Sequence, residues 1–106
     1  MPWRDEYTAE AKADLERLGE PRTTRVKKAI AKVLRNPLPF REGGYGKPLG
    51  NRNDNNPTGL LKVKLRGDGI RIVYRLERSE HAMRIIVISV RDDSAVYKEA
   101  ARRIRR

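Results

Sequence analysis

The 106-residue chain contains no cysteine and a single histidine, His81. Without cysteine there is no disulfide framework, no thiolate metal site and no thiol nucleophile. One histidine excludes a His-pair metal site and argues against a Ser-His-Asp triad. In the polar stretch Arg78-Ser79-Glu80-His81 it is expected in solvent. No apolar run approaches the ~20 residues of a membrane-spanning helix, and the N-terminus lacks the basic and apolar segments of a secretory signal. The expectations are no metal, no cofactor, no membrane partner, and the cytoplasm as compartment. Hydrophobic residues make up 38% and aromatics 6%, enough for one modest core, so residues 1–106 read as a single domain with no repeat or linker.

Positive charge is what the chain has in excess. Lys plus Arg number 25 against 14 Asp plus Glu, a net charge of +11. A polyanion is the default partner for such a balance, although an acidic protein or an anionic membrane would also fit.

The cations are patterned. In Leu61-Lys62-Val63-Lys64-Leu65-Arg66, apolar and basic residues alternate with the period of a half-buried strand. After Gly67-Asp68-Gly69, Ile70, Ile72 and Tyr74 fall on one face of a second strand, and Arg71, Val73 and Arg75 on the other. Asp-Gly is a signal for a two-residue type I′ hairpin turn. A turn at Asp68-Gly69 sets Arg66 opposite Arg71 and Lys64 opposite Val73, whereas a turn at Gly67-Asp68 sets Lys64 opposite Arg71. Both registers gather cations on one face, and facing like charges cost roughly 0.2–1 kcal/mol per pair. An anionic partner would offset that cost; a solvated edge guarded against aggregation is the plainer reading.

Around the hairpin, residues 2 to 7 suit a short first strand with Trp3 and Tyr7. Thr8 is placed to cap a helix from Ala9 to Leu18 that Gly19 ends. Pro21 starts a second helix to about Arg35, with Val26, Ile30, Val33 and Leu34 on one stripe, stopped by Asn36-Pro37. Residues 37 to 58 form a long connection, read either as a flexible surface loop or, through Phe40, Arg41, Tyr45, Lys47 and Arg52, as a nucleic-acid contact. Arg84 to Val90 reads as a central strand. Asp92-Asp93-Ser94 caps a last helix from about Ala95 to Ile104, followed by a basic tail. The fold expected is α+β: a small, mainly antiparallel twisted sheet packed on an N-terminal helical hairpin in the order β-α-α-β-β-β-α, its cationic face open.

These features resemble the RelE/ParE family of toxins from type II toxin–antitoxin modules. The resemblance rests on the strand ending in Tyr7, the hairpin with Leu15 and Leu18, and Lys47-Pro48-Leu49. It continues through Gly59-Leu60-Leu61-Lys62-Val63-Lys64-Leu65-Arg66, Gly69-Ile70-Arg71-Ile72-Val73-Tyr74, and Ile86-Val87-Ile88-Ser89-Val90-Arg91 followed by Val96-Tyr97. It covers nearly the whole chain, and the block from Lys62 to Tyr74 resembles the RelE branch more than the gyrase-poisoning ParE branch. The resemblance implies a ribosome-dependent mRNA interferase that cleaves in the A site. Lys62, Lys64, Arg71, Arg91 and Tyr97 match the family's functional positions, and Lys47, Arg52, Arg66 and Arg75 are candidate RNA contacts. A cognate antitoxin is implied as partner beside ribosome and mRNA, with operator DNA bound only as the toxin–antitoxin complex. One departure is visible: Asp92-Asp93 stand where relatives often carry more basic residues, placed to pair with Arg91 or to repel RNA.

Those residues admit a metal-free reaction. The 2′-OH attacks the scissile phosphate and expels the 5′-oxygen, which needs a base, a charge stabiliser and an acid. Cations crowded together favour a neutral lysine, so Lys62 or Lys64 is the candidate base or the donor near the 2′-OH. Arg71 would clamp the phosphate, Arg91 would stabilise or protonate the leaving oxygen, and Tyr97 would stack on a base or orient the 2′-OH. The plain alternatives are an Arg71 ion pair with Glu77 or Asp68 and a packing role for Tyr97. Competing functions are a ParE-like inhibitor of DNA gyrase and a basic nucleic-acid-binding module without chemistry.

Overall fold

The computed structural model describes residues 2–49 and 59–104. Strand β1 (Arg4–Tyr7) leads into helices α1 (Ala9–Leu18) and α2 (Arg22–Val33). Strands β2 (Lys47–Pro48), β3 (Leu60–Leu65), β4 (Ile70–Glu77) and β5 (Ala82–Ser89) follow, and helix α3 (Asp93–Ile104) closes the described chain. The strands form one sheet ordered β1-β5-β4-β3-β2. The β1–β5 pairing is parallel; the others are antiparallel. The α+β class is as expected, with a fifth short strand, β2, added to it.

Local chemistry sets the helix ends. Thr8 Oγ1 accepts from the Ala11 N–H at 3.1 Å, satisfying one of the open donors of α1. Gly19, at φ +67°, ends that helix in a conformation that a side chain would resist. The Glu20 carboxylate accepts from the Thr24 N–H at 3.1 Å and so covers an open donor of α2. Asp92 Oδ1 accepts from the Ala95 N–H at 2.8 Å and caps α3.

Two apolar clusters hold the layers together. Ala11 and Leu15 of α1 and Val26, Ile30 and Val33 of α2 pack on Leu61, Ile70, Ile72, Tyr74, Met83, Ile85 and Ile88. On the opposite face, Val96 and Ala100 of α3 pack on Leu49, Leu60, Val73, Ile86 and Val87. The sheet is therefore covered on both faces over part of its area, where the sequence pattern predicted one face left open. The continuous β-branched run of β5 has a specific cause. Tyr74 pairs with Ile85 and Val73 with Val87, which leaves Ile86 as the extra residue of a β-bulge. Ile86 and Val87 both turn toward α3 as a result.

Other differences are local. The β3–β4 connection runs through residues 66 to 69, with Leu65 paired to Ile70 and the Gly69 N–H donating to the Leu65 carbonyl at 2.8 Å. Gly69 alone takes positive φ there, at +68°, so the two-residue type I′ turn does not form. Asp68 is held instead by Arg25 of α2 at 2.6 Å, which favours the longer turn. His81, expected in solvent, is half-buried against Trp3, with ring centroids 4.8 Å apart. No described helix is long and apolar enough to cross a membrane.

Candidate functional site

The ladder between β3 and β4 pairs Lys64 with Arg71 and Lys62 with Val73. This is the second of the two registers the sequence allowed. Residues 62, 64 and 71 thus share the face on which α3 lies. Lys47 of β2 is paired with Lys62 and joins them, exposed.

Two of these cations converge on one carboxylate. Lys62 Nζ lies 2.7 Å from Asp93 Oδ2 and Arg71 Nε 2.5 Å from Asp93 Oδ1. The Lys62 and Arg71 side chains are 20% and 13% exposed, and Asp93 is 52% exposed. The Lys62 ammonium and the Arg71 guanidinium hold the Asp93 carboxyl below its usual range. The alternative of an Arg71 ion pair with Glu77 or Asp68 does not form; Asp93 takes that place. Asp92 is taken by the helix cap and Asp93 by Lys62 and Arg71, so of the two alternatives for these residues the ion pair with Arg91 does not form among the described residues.

Arg71 is unusually fixed. Its Nη1 donates to the Gly69 carbonyl at 3.0 Å and to the Arg91 carbonyl at 2.7 Å. The positive φ of Gly69 and the chain reversal after β5 bring these two carbonyls to the guanidinium. Among the described residues Nη2 has no hydrogen-bond partner, so the Nε–Nη2 edge is only half used. That edge is planar and can receive two oxygens of a carboxylate or phosphate side by side.

The other candidates disperse. Lys64 is exposed with no ion-pair partner among the described residues. Tyr97 stands one helical turn after Asp93 and is partly buried against the Leu60–Val73 cluster. Arg91 reaches the cluster through its carbonyl; the residue is exposed and lines a cleft of about 410 Å³ with Ala95, Glu99 and Arg103. Arg66 is exposed in the turn. Arg75 is drawn into a separate network, where Glu77 Oε1 accepts from Arg75 at 3.2 Å and from Arg84 at 3.1 Å. Arg52 lies outside the described residues. Phe40 and Tyr45 are exposed, with Lys32 Nζ 5.5 Å from the Tyr45 ring centroid. No group of three or more His, Asp or Glu side chains among the described residues is placed to hold a metal.

Sequence reasoning missed Asp93 as the partner of Lys62 and Arg71. Its i, i+4 spacing to Tyr97 puts both on one helix face, which was the available signal. Nothing local revealed that α3 lies across that part of the sheet.

A family model described as the ParE toxin of the type II toxin–antitoxin system, parDE, matches residues 6–97. The fold is similar to an arginine-to-alanine double mutant of the Escherichia coli toxin RelE in the free state. That likeness has a TM-score of 0.74 at 26% identity over 98% of this chain and 99% of that one. A crystal structure of the isolated E. coli RelE toxin gives 0.64 at 26% identity, over 98% and 99%. The toxin–antitoxin complex RelBE2 of Mycobacterium tuberculosis is similar in fold, at 0.55 and 23% identity, over 86% and 100%. No curated protein matches the sequence.

Proposed function

The chain belongs to the ParE toxin family of type II toxin–antitoxin systems, and from that premise we propose that it is a RelE-like, metal-independent endoribonuclease that cleaves mRNA in the ribosomal A site. The convergence of Lys62 and Arg71 on a single carboxylate carries this reading. Two cations that hold one planar anion from different strands can also hold the scissile phosphate.

In the reaction proposed, the phosphate sits on the Nε–Nη2 edge of Arg71 and on Lys62. Lys64, adjacent in the ladder and free of ion pairs among the described residues, takes the proton of the attacking 2′-OH. The 2′-oxygen bonds to phosphorus as the bond to the 5′-oxygen breaks, giving a 2′,3′-cyclic phosphate and a 5′-hydroxyl. Arg91 stabilises the departing oxygen, which takes up a proton from water, and Tyr97 stacks on a flanking base. Charge stabilisation by fixed donors is commonly the largest contribution to such a reaction. Acid–base groups this weak fit a reaction in which the ribosome aligns the RNA. The family also implies a cognate antitoxin, which would lay an acidic or amphipathic segment over the basic face or displace α3, and which would carry any binding to operator DNA.

A second reading, a non-nuclease toxin acting on DNA gyrase, is favoured by the ParE description of the matching family. Induced expression of the wild type beside Arg71→Ala and Lys62→Ala/Lys64→Ala, with primer extension on a reporter mRNA, separates the two. Codon-phased cuts that vanish in the variants support the nuclease. Growth arrest without cuts and with double-strand breaks, persisting in the variants, supports the gyrase reading.

A further inference from the structure

Asp93 occupies the position that an incoming anion would take. Its two oxygens are divided between Lys62 Nζ and Arg71 Nε. It nevertheless leaves Arg71 Nη2 without a partner among the described residues. A tetrahedral oxyanion reaching in from the same side satisfies Nε, Nη2 and the ammonium together. Arg71 need not move to receive it, because Nη1 is already anchored on the Gly69 and Arg91 carbonyls. Asp93 itself is about half exposed and sits in the first turn of α3, where its side chain can swing to solvent without disturbing the Asp92 cap.

We propose that Asp93 is a built-in competitor that holds the Lys62–Arg71 anion site closed, so that a phosphate enters only by displacing its carboxylate. The identity of that phosphate as part of an RNA rests on the function proposed above; the competition does not. Because the two cations hold the Asp93 carboxyl below its usual range, the closure does not relax by protonation near neutral pH. It opens by exchange of one anion for another, or by movement of the first turn of α3. The arrangement also gives the folded chain a partner for its crowded cations when no RNA is present.

The test uses the full chain as wild type, Asp93→Asn, Asp93→Glu, Asp93→Asn/Arg71→Ala, and Glu80→Gln, which removes an equal charge at the exposed Arg4 pair. Inorganic phosphate is titrated while the backbone amide resonances of residues 69 to 72 and 91 to 93, present in every variant, are followed by NMR. A 2′-O-methyl RNA oligonucleotide, which cannot be cleaved, is titrated by fluorescence anisotropy. Asp93→Asn is expected to bind phosphate about tenfold more tightly than wild type, the scale of one close charge at a partly exposed site. Glu80→Gln and Asp93→Glu should match wild type, and the gain should vanish with Arg71→Ala. Phosphate binding by Asp93→Asn that is equal to or weaker than that of Glu80→Gln overturns the proposal; a weaker value would make Asp93 a residue that positions the cations. A gain for phosphate without any for RNA leaves the competition standing and removes the RNA reading.

Discussion

Arg103 of α3 and Asp14 of α1 meet at 2.8 Å, with side chains only 9% and 5% exposed. Arg103 Nη1 also donates at 2.6 Å to the carbonyl of Ile86, the residue set free by the β5 bulge. Asp14 Oδ2 in turn accepts from the Ile88 N–H at 3.0 Å. One buried pair thus joins both helical layers to β5 and satisfies backbone groups that the bulge and the end of β1 leave without strand partners.

Removing one partner leaves the other short of a contact but not alone, because Asp14 keeps Arg17 at 2.5 Å and Arg103 keeps Glu99 at 2.7 Å. Asp14→Ala and Arg103→Ala are each expected to lower stability by about 1–3 kcal/mol, and together by less than their sum. Urea titration of the singles and the double variant measures this. Additive losses of under about 1 kcal/mol would mean that the pair is solvated in practice.

Glu99 extends the same network, accepting from Arg103 Nε at 2.7 Å and from Arg102. The Arg102 guanidinium above all draws the Glu99 carboxyl down to about 2 from its ordinary value of 4.5; burial opposes this, and Arg103 adds to the lowering. A carboxyl with a lowered folded-state pKa adds stability above its unfolded value and loses that stability as pH falls through the folded one. Melting temperature should therefore drop between pH 4.5 and about 2, with α3 loosening. Glu99→Gln should be less stable than wild type at neutral pH and converge with it at the acid end. Parallel pH profiles for the two proteins would show that Glu99 contributes nothing.

The hairpins were legible because their patterns are local. Thr8, Gly19 and the stripe of Val26, Ile30 and Val33 mark α1 and α2, and the alternation in β3 and β4 fixed which side chains share a face. What escaped depends on contacts distant in sequence. The charged β1 carries no sign that it pairs in parallel with β5, and a continuous apolar run cannot show that Ile86 is a bulge. The choice between the two registers at Gly67-Asp68-Gly69 has no local sign, and the partner that Asp68 meets in the observed one, Arg25, is far away in the chain. The site was legible as a set of cations, but the carboxylate among them was not, because only the placement of α3 brings Asp93 to Lys62 and Arg71.

Tyr74 illustrates how closely the long connection is fitted to the sheet. Its hydroxyl is buried and donates to the Pro37 carbonyl at 2.7 Å, and a Cβ added at Gly46 would lie 2.3 Å from that oxygen. Tyr74→Phe is expected to cost about 1–3 kcal/mol by leaving the carbonyl unsatisfied. Gly46→Ala should cost a similar amount by overpacking, about 1–3 kcal/mol. Its cost should shrink in the Tyr74→Phe background, where the clashing oxygen is gone. Thermal or urea denaturation of the two singles and the double checks this, and an undiminished cost in the double variant would place the clash at Leu61 or Leu38 instead.

Arg71→Lys separates charge from geometry at the candidate site. A lysine keeps the positive charge near the phosphate but offers no fork. It cannot keep contacts with the Gly69 and Arg91 carbonyls while presenting two parallel donors to an anion. If the guanidinium edge is what stabilises the pentacoordinate phosphate, Arg71→Lys should lose nearly as much cleavage as Arg71→Ala, about 10² or more in rate. Binding of an uncleavable RNA should fall much less in the lysine variant, because most of that affinity is bulk electrostatic attraction. The split between rate and binding is the informative quantity, read from cleavage of ribosome-bound mRNA beside anisotropy on the 2′-O-methyl oligonucleotide. A lysine variant that cleaves at the wild-type rate would reduce Arg71 to a point charge and remove the bidentate clamp from the mechanism.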